Sequence, residues 1–264
     1  MIPNFYDLFD QTRLITYFLV VIRTGGILFT VPLFGSNMIR AQLRMAVSIV
    51  LAAVLYPLVP PVPYTGDVPT LFLIITILKE LMIGMSIGTL TSTLFTGIQL
   101  GGYLVDFQMG FSMINVMDPE SGASFSYVAQ IQNIITILLF VAIGGPRLII
   151  EAVAYSFTLL PPGDFIFQEN AFKFAVSLFA KVFVVALTLL APALIVLMAT
   201  NVVMGVMARI IPQMNLLVVG FPIKIAVGMV ILIFSMQFYY IAFEKIAFDY
   251  FRHAREFIRA VLGV

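Results

Sequence analysis

Met109, Met113 and Met117 recur every four residues in a stretch that also holds Gly101-Gly102, Gly110 and Gly122 and is closed by Asp118-Pro119. Methionine is unbranched and polarizable, so several of them on a glycine-containing backbone can close around an irregular surface and open again without one unique packing arrangement. With Asp106 at its start and Phe111 beside Gly110, the interval 106–122 has the chemistry of a deformable apolar seal. The same spacing also suits the core face of a short helix, and from the residues alone both readings stand.

A second constellation lies at 201–228. Asn201, Gly205 and Arg209 fall at i, i+4 and i+8 of one helical face, and Pro212 breaks that helix because proline lacks the N–H and clashes with the preceding turn. Gln213 and Asn215 follow as residues able to cap the turn, and a second apolar run then carries Gly220, Pro222, Lys224 and Gly228. A cation such as Arg209 or Lys224 costs about 2.5–3.5 kcal/mol in an apolar setting even on the lenient insertion scale, so each is expected to have a partner or a water-filled surface. The spacing fits a helix hairpin with a polar turn, or one side of a substrate path.

Covalent chemistry has little to work with. The chain has no cysteine, and His253 is its single histidine, which removes thiolate ligands, cysteine nucleophiles and most imidazole chemistry. No P-loop lysine, no His-Glu-x-x-His, no paired carboxylates on one apolar helix face and no Gly-x-Ser-x-Gly elbow occur. No catalytic, cofactor-binding or metal-binding residue is therefore expected. Lys79–Glu80, Arg147–Glu151 and Glu244–Lys245 are candidate ion pairs, but only Arg147 and Glu151 have the i, i+4 spacing at which helix side chains meet.

The elements that must position these groups belong to an unusually apolar chain. Of 264 residues, 14 are Lys or Arg and 13 Asp or Glu, 10% in all, against 61% apolar; a soluble domain has roughly 25% charged residues and about 45–50% apolar ones. Such a chain is solvated by lipid or by partner proteins. Charge-free runs span 45–66, 81–105, 121–146, 182–208 and 225–243, several at or beyond the roughly 18–20 residues of a membrane-crossing helix. The net charge of +1 offers no footprint for nucleic acid. Asp7 and Asp10 precede Arg13, the opposite of a cationic signal-peptide start, so the N-terminus is expected to be retained.

The apolar segments read as follows. One covers 14–34, interrupted by Arg23 and Gly25-Gly26; another covers 45–59 and stops among Pro57, Pro60, Pro61 and Pro63. The stretch 71–105 is too long for one upright span, and its Gly84-x3-Gly88 and Gly97-x3-Gly101 place glycines on one face for close helix approach. After a polar interval at 106–126 come 127–143, ended by Gly144-Gly145-Pro146, and a short re-entrant or packed helix at 148–160. The stretches 172–208 and 216–248 are expected to form bent or paired helices. Five to seven spans are conceivable, and Lys245, Arg252, Arg255 and Arg259 favour a cytoplasmic C-terminus.

At its two constellations the chain resembles the FliR family, flagellar type III export-gate proteins homologous to the export-apparatus T subunit of virulence injectisomes. The resemblance rests on Gly101-Gly102 followed by Asp106, Gly110-Phe111-Ser112 and Asp118-Pro119 with Gly122. It continues in Asn201-x3-Gly205-x3-Arg209-x2-Pro212-Gln213-Met214-Asn215-x4-Gly220-Phe221-Pro222-x-Lys224-Ile225-x2-Gly228, whose Gly-Phe-Pro-x-Lys-Ile portion is more similar to flagellar members than to injectisome ones. One departure follows Phe140, where an Asn-Gly-His type of turn is replaced by Ile143-Gly144-Gly145-Pro146-Arg147.

The resemblance implies an all-α, membrane-associated subunit of helical hairpins, with a FliP-like part over 1–170 and a FliQ-like part over 171–264. It implies a non-enzymatic role in a hetero-oligomeric gate with FliP, FliQ and FlhB, through which unfolded flagellar proteins leave the cytoplasm. The gate would sit in the bacterial inner membrane at the flagellar basal body, with part of it at the periplasmic face. The resemblance also implies a plug loop near 106–122, meeting a methionine ring supplied by FliP. It favours the seal over the core face at Met109, Phe111 and Met113, with Asp106, Gly110, Met117, Asp118, Pro119 and Gly122 in the same loop. Asn201, Gly205, Arg209, Pro212, Gln213, Asn215, Gly220, Pro222, Lys224 and Gly228 would form an assembly motif. The rivals are an injectisome export-apparatus subunit, a small-solute secondary transporter and a passive scaffold. A transporter of that kind is expected to show matching interruptions in its two halves, and neither 57–63 nor 97–106 aligns with anything in 172–248.

Overall fold

The computed structural model describes residues 11–32, 39–62, 69–111, 126–163, 170–213 and 215–262, and among them every regular element is helical. The helices are α1 (Gln11–Thr30), α2 (Ala41–Leu55, continued by a 3-10 turn at Tyr56–Leu58), α3 (Thr70–Met109), α4 (Tyr127–Ala142), α5 (Gly145–Leu159), α6 (Asn170–Ile210), α7 (Leu216–Phe234) and α8 (Met236–Leu262).

Local chemistry sets most of their ends. Pro57 turns the end of α2 into a 3-10 turn. Ser126 caps α4 by accepting the Ala129 N–H at 3.1 Å, the N-cap bond that satisfies one orphan donor of the first turn. Between α4 and α5, Gly144 adopts φ +78°, and Pro146 stands in the first turn of the next helix, where its missing N–H costs nothing. α7 and α8 meet at a bend of 57°, yet the ladder runs on through it, with Ser235 N–H on Ile231 O and Tyr239 N–H on Ser235 O, both at 2.8 Å.

Two stretches differ from their expectation. α3 is one unbroken helix of 40 residues that runs past Asp106 to Met109, about 60 Å at 1.5 Å per residue. α6 is one continuous helix of 41 residues with Pro192 inside it, not a pair of helices. Proline there removes a single bond, to the Thr188 carbonyl. In so apolar a run, stopping the helix would strand several more backbone groups without water to take them. Among the described residues four helices are long and apolar enough to cross a membrane, or up to six if α4 with α5 and α7 with α8 each count as one broken span.

The chain forms two units, one of residues 1–92, 144–178 and 250–264 and the other of 93–143 and 179–249. In the first, α1 and α3 cross at glycines. A Cβ on Gly26 would lie 3.1 Å from Leu81 O, one on Gly84 would strike Arg23 O, and one on Gly88 would strike the Thr30 hydroxyl. Beside this crossing Arg23 and Glu80 form an ion pair with both side chains fully buried. Arg23 Nε donates to Glu80 Oε2 at 2.5 Å and Nη2 to Oε1 at 3.0 Å. Arg23 Nη1 donates to Ser156 O at 3.2 Å and Leu160 O at 3.0 Å, carbonyls at the end of α5. Glu80 Oε1 also accepts the Gly163 N–H at 2.9 Å, and the guanidinium carbon lies 4.2 Å from the Phe157 ring centroid. The expected Arg147–Glu151 pair also forms, at 2.8 Å, but with 83% and 39% of its side chains exposed it contributes little.

In the second unit the remaining α3 glycines receive neighbours. A Cβ on Gly97 would lie 2.8 Å from Val185 Cβ and one on Gly101 2.9 Å from Ala186 O, both on α6, while one on Gly102 would overlap Ala129 of α4. Polar ties accompany the close packing: Gln99 Nε2 donates to Asn133 Oδ1 at 3.2 Å, and the Thr136 and Tyr239 hydroxyls share a hydrogen bond of 2.6 Å.

The buried pair generates a prediction. Glu80→Ala leaves a buried guanidinium uncompensated and should cost about 3–5 kcal/mol, seen as a lowered thermal midpoint and poor recovery from membranes. Joining it with Arg23→Met should recover a large part of that loss. Additive losses in the double variant would show that the two side chains do not act as a pair.

Candidate functional site

The two constellations meet at the C-terminal end of α3. Helix α3 closes with Gly110 at φ +90°, a left-handed residue of the kind that ends helices. Asp106 O there accepts from Gly110 N–H at 3.1 Å and Phe111 N–H at 3.2 Å. The Asp106 carboxylate reaches across and accepts the Val128 N–H at 3.3 Å, in the first turn of α4. Phe111 packs on Tyr127 with ring centroids 5.8 Å apart. These two contacts draw together the chain entering residues 112–125 and the chain leaving them. Met113, Met117, Asp118, Pro119 and Gly122 lie outside the described residues.

Residues 108, 109 and 110 each touch the second constellation. Gln108 Oε1 accepts from Asn201 Nδ2 of α6 at 2.9 Å. Met109 has no exposed surface and lies over Gly228 of α7, where an added Cβ would be 2.7 Å from its Cγ and Sδ. The Phe221 ring of α7 occupies the place a Cβ on Gly110 would need. A large side chain faces a glycine twice, once in each direction. Met109 is thus a packing residue of the second unit, and Asp106 belongs to α3 rather than to a loop.

The rest of the second constellation divides by environment. Gly220 is buried, with Met204 Cε 3.0 Å from its would-be Cβ. Asn215 opens α7, its backbone oxygen accepting from Val218 N–H at 3.1 Å and its Oδ1 from the same N–H at 3.4 Å. Pro212 and Gln213 form an exposed turn, and Pro222 sits exposed inside α7. Gly205 is exposed, with nothing within 4 Å of an added Cβ. Arg209 is exposed in the last turn of α6, where a cation suits the helix dipole. Lys224 is half-buried. Among the described residues neither cation has an intrachain ion pair, and no cluster of His, Cys, Asp or Glu could hold a metal ion.

Sequence reasoning missed Arg23–Glu80 and the role of Phe221. The available signals were an arginine inside the first apolar run and a glycine beside a phenylalanine in both Gly110-Phe111 and Gly220-Phe221.

Comparison with known proteins gives the arrangement a family. Residues 14–249 match the family described as bacterial export proteins, family 1. The chain is 28% identical over 233 residues to a flagellar biosynthetic protein FliR of Bacillus subtilis, covering 87% of this chain and 89% of the relative. It is 29% identical over 252 residues to the FliR of Aquifex aeolicus, covering 95% and 96%. It is 25% identical over 214 residues to that of Escherichia coli, covering 80% of each. The family match runs from α1 into α8 and takes in both interlocked constellations, so the chain belongs to the bacterial export proteins, family 1, in agreement with the FliR resemblance carried by its motifs.

Proposed function

We propose that the chain is a subunit of the flagellar type III protein export gate, assembling with FliP, FliQ and FlhB to form and close the channel by which unfolded flagellar proteins cross the inner membrane. The observation that carries this reading is the family match over residues 14–249, together with relatives that are flagellar biosynthetic proteins.

The surface supports a subunit over a self-sufficient span bundle. Of the span-capable helix Ala41–Leu58 only 17% is buried in the chain's own fold, and Phe179 and Phe234 are 73% and 79% exposed. Helices α3 and α6 are about twice as long as the hydrocarbon core is thick, so they suit an assembly standing partly at the periplasmic face better than a simple bundle of spans. Exposed Arg209 beside open Gly205 offers a partner both a charge and a close backbone approach. In this reading 1–170 is the FliP-like part, 171–264 the FliQ-like part, and the portion of 106–122 beyond the end of α3 the plug, with Met113 and Met117 as its adaptable apolar surface. The subunit itself does no covalent chemistry.

Two predictions follow from this surface and this loop. Arg209→Leu and Gly205→Leu should each reduce co-purification of the chain with FliP-like and FliQ-like partners while the lone chain stays as it was, since neither site has a neighbour to lose. Normal recovery of the complex with export lost would instead place them on the substrate path. Removing residues 113–117 should leave the complex recoverable and raise the permeability of cells to a small solute. Unchanged permeability with the complex intact would refute the seal.

A further inference from the structure

Helices α1, α2 and α3 of the first unit leave a groove of about 600 Å³ between them, within the roughly 300–1,000 Å³ of small-molecule sites. Val21, Gly25 and Phe29 of α1, Met45 of α2, and Leu81 and Met85 of α3 line it. Thr30 and Ser48 are its polar residues, and both hydroxyl protons go to backbone: Thr30 Oγ1 donates to Gly26 O and Ser48 Oγ to Arg44 O, each at 2.8 Å. The wall therefore suits an apolar occupant.

One end of the groove is basic. Arg44 Nη2 and Nε donate to Ile39 O at 2.8 and 3.2 Å, and its guanidinium carbon lies 5.3 Å from the centroid of the Phe29 ring in the groove wall. Arg40 stands exposed one helical turn earlier. No acidic residue occurs between Asp10 and Asp67, so α1, α2 and the chain joining them contribute only positive charge. The depth is also right for a headgroup. The span-capable helix runs from Ala41 to Leu58, 18 residues or about 27 Å, close to the roughly 30 Å of hydrocarbon. Arg40 thus precedes the span, and Arg44 is within snorkelling reach of the same surface.

We propose that this groove is a binding site for an anionic phospholipid: one acyl chain lies along Gly25 and Phe29 between α2 and α3, and the phosphate is held by Arg40 and Arg44. The site needs only that α2 lies in a membrane, and it stands apart from the reading of 106–122.

In a bilayer an acyl chain gains little from apolar surroundings as such, because the lipid it leaves is equally apolar. What the groove adds is close contact on three sides. Selectivity comes from the charged end. Guanidinium groups meet phosphate oxygens with paired N–H donors, and each arginine near a membrane surface attracts anionic lipid by about 1 kcal/mol. A zwitterionic headgroup would set its own cation beside the two arginines. Arg44 is already oriented by Ile39 O and Phe29, so little side-chain freedom is lost when the phosphate arrives.

The chain contains no tryptophan, so Phe29→Trp puts a single fluorophore in the groove wall under Arg44. The full chain is reconstituted in phosphatidylcholine vesicles holding a minor share of phosphatidylglycerol with brominated acyl chains. This lipid should quench the fluorescence several-fold more than the same share of brominated phosphatidylcholine. The excess should vanish with Arg40→Gln plus Arg44→Gln and survive in large part with Arg40→Lys plus Arg44→Lys. It should also vanish with Gly25→Leu, which fills the groove and keeps both arginines; a Cβ at Gly25 meets only Ser48 Oγ, at 3.7 Å, so the fold can accept it. Equal quenching by the two lipids would mean an ordinary lipid-facing surface and overturn the site. So would an excess that outlasts either the loss of both arginines or the filling of the groove. In the complex with FliP-like and FliQ-like partners, after subtraction of the signal without Phe29→Trp, the same excess should persist. Protection from both lipids there would put a partner's apolar helix in the groove instead and overturn the lipid site.

Discussion

The first unit depends on two charges placed where charge is most expensive. Arg23 and Glu80 have no exposed side-chain surface, in a chain whose charged residues make up 10%. Their desolvation is offset only if every donor and acceptor is used, and the geometry comes close to doing so. One guanidinium holds the carboxylate of α3 and the last carbonyls of α5, and the carboxylate holds the Gly163 amide in return. Apolar helices against lipid have little preference for one register over another, because the solvent is as apolar as the side chains. A slide of α1 along α3 by a single residue would part the pair and leave both charges buried. The ion pair thereby selects one register among many that apolar packing alone would tolerate, and it does so beside the Gly26–Gly84 crossing, where the backbones come closest.

The second unit achieves specificity by shape. Gly97, Gly101 and Gly102 of α3 admit Val185, Ala186 and Ala129, Gly110 at its end admits Phe221, and the same device runs in reverse at Met109–Gly228. Such contacts are individually weak, need no fixed partner charge and add up through close approach. The division of labour is physical: a buried charge pair sets the register in the first unit, and glycine sockets filled by apolar side chains set it in the second.

Much of this was legible in the sequence, and what was not has identifiable causes. Helix ends at Pro57, Gly144 and Ser126 depend on local backbone chemistry and could be read directly, as could the i, i+4 pair Arg147–Glu151 and the family motifs. The partnership of Arg23 with Glu80 spans 57 residues, and no local spacing encodes it. Pro192 reads as a helix break under soluble rules, yet α6 continues through it because an apolar surrounding penalises unpaired backbone more than one missing bond. Met109 looked like part of a loop because the polar interval begins at Asp106. The helix runs three residues further, and burial under Gly228 makes Met109 a core residue, a tertiary fact invisible in a pattern of methionines.

The motif at 201–228 looks in two directions, and that is its mechanical interest. Asn201, Gly220, Phe221 and Gly228 face the chain's own second unit, where they hold Gln108, Met204, Gly110 and Met109. Gly205 and Arg209, on the helix that carries Asn201, have no such neighbour and are exposed. The turn at Pro212 and Gln213 connects α6 to α7, so a partner that takes Arg209 bears on the same hairpin whose Phe221 and Gly228 pack against the end of α3. Coupling of this sort needs no long relay of side chains, because both contacts lie on one hairpin joined by a short turn. A partner that engages α6 or α7 from outside therefore bears on the packing of the second unit, while the Arg23–Glu80 pair fixes the register of α1 and α3 within the first.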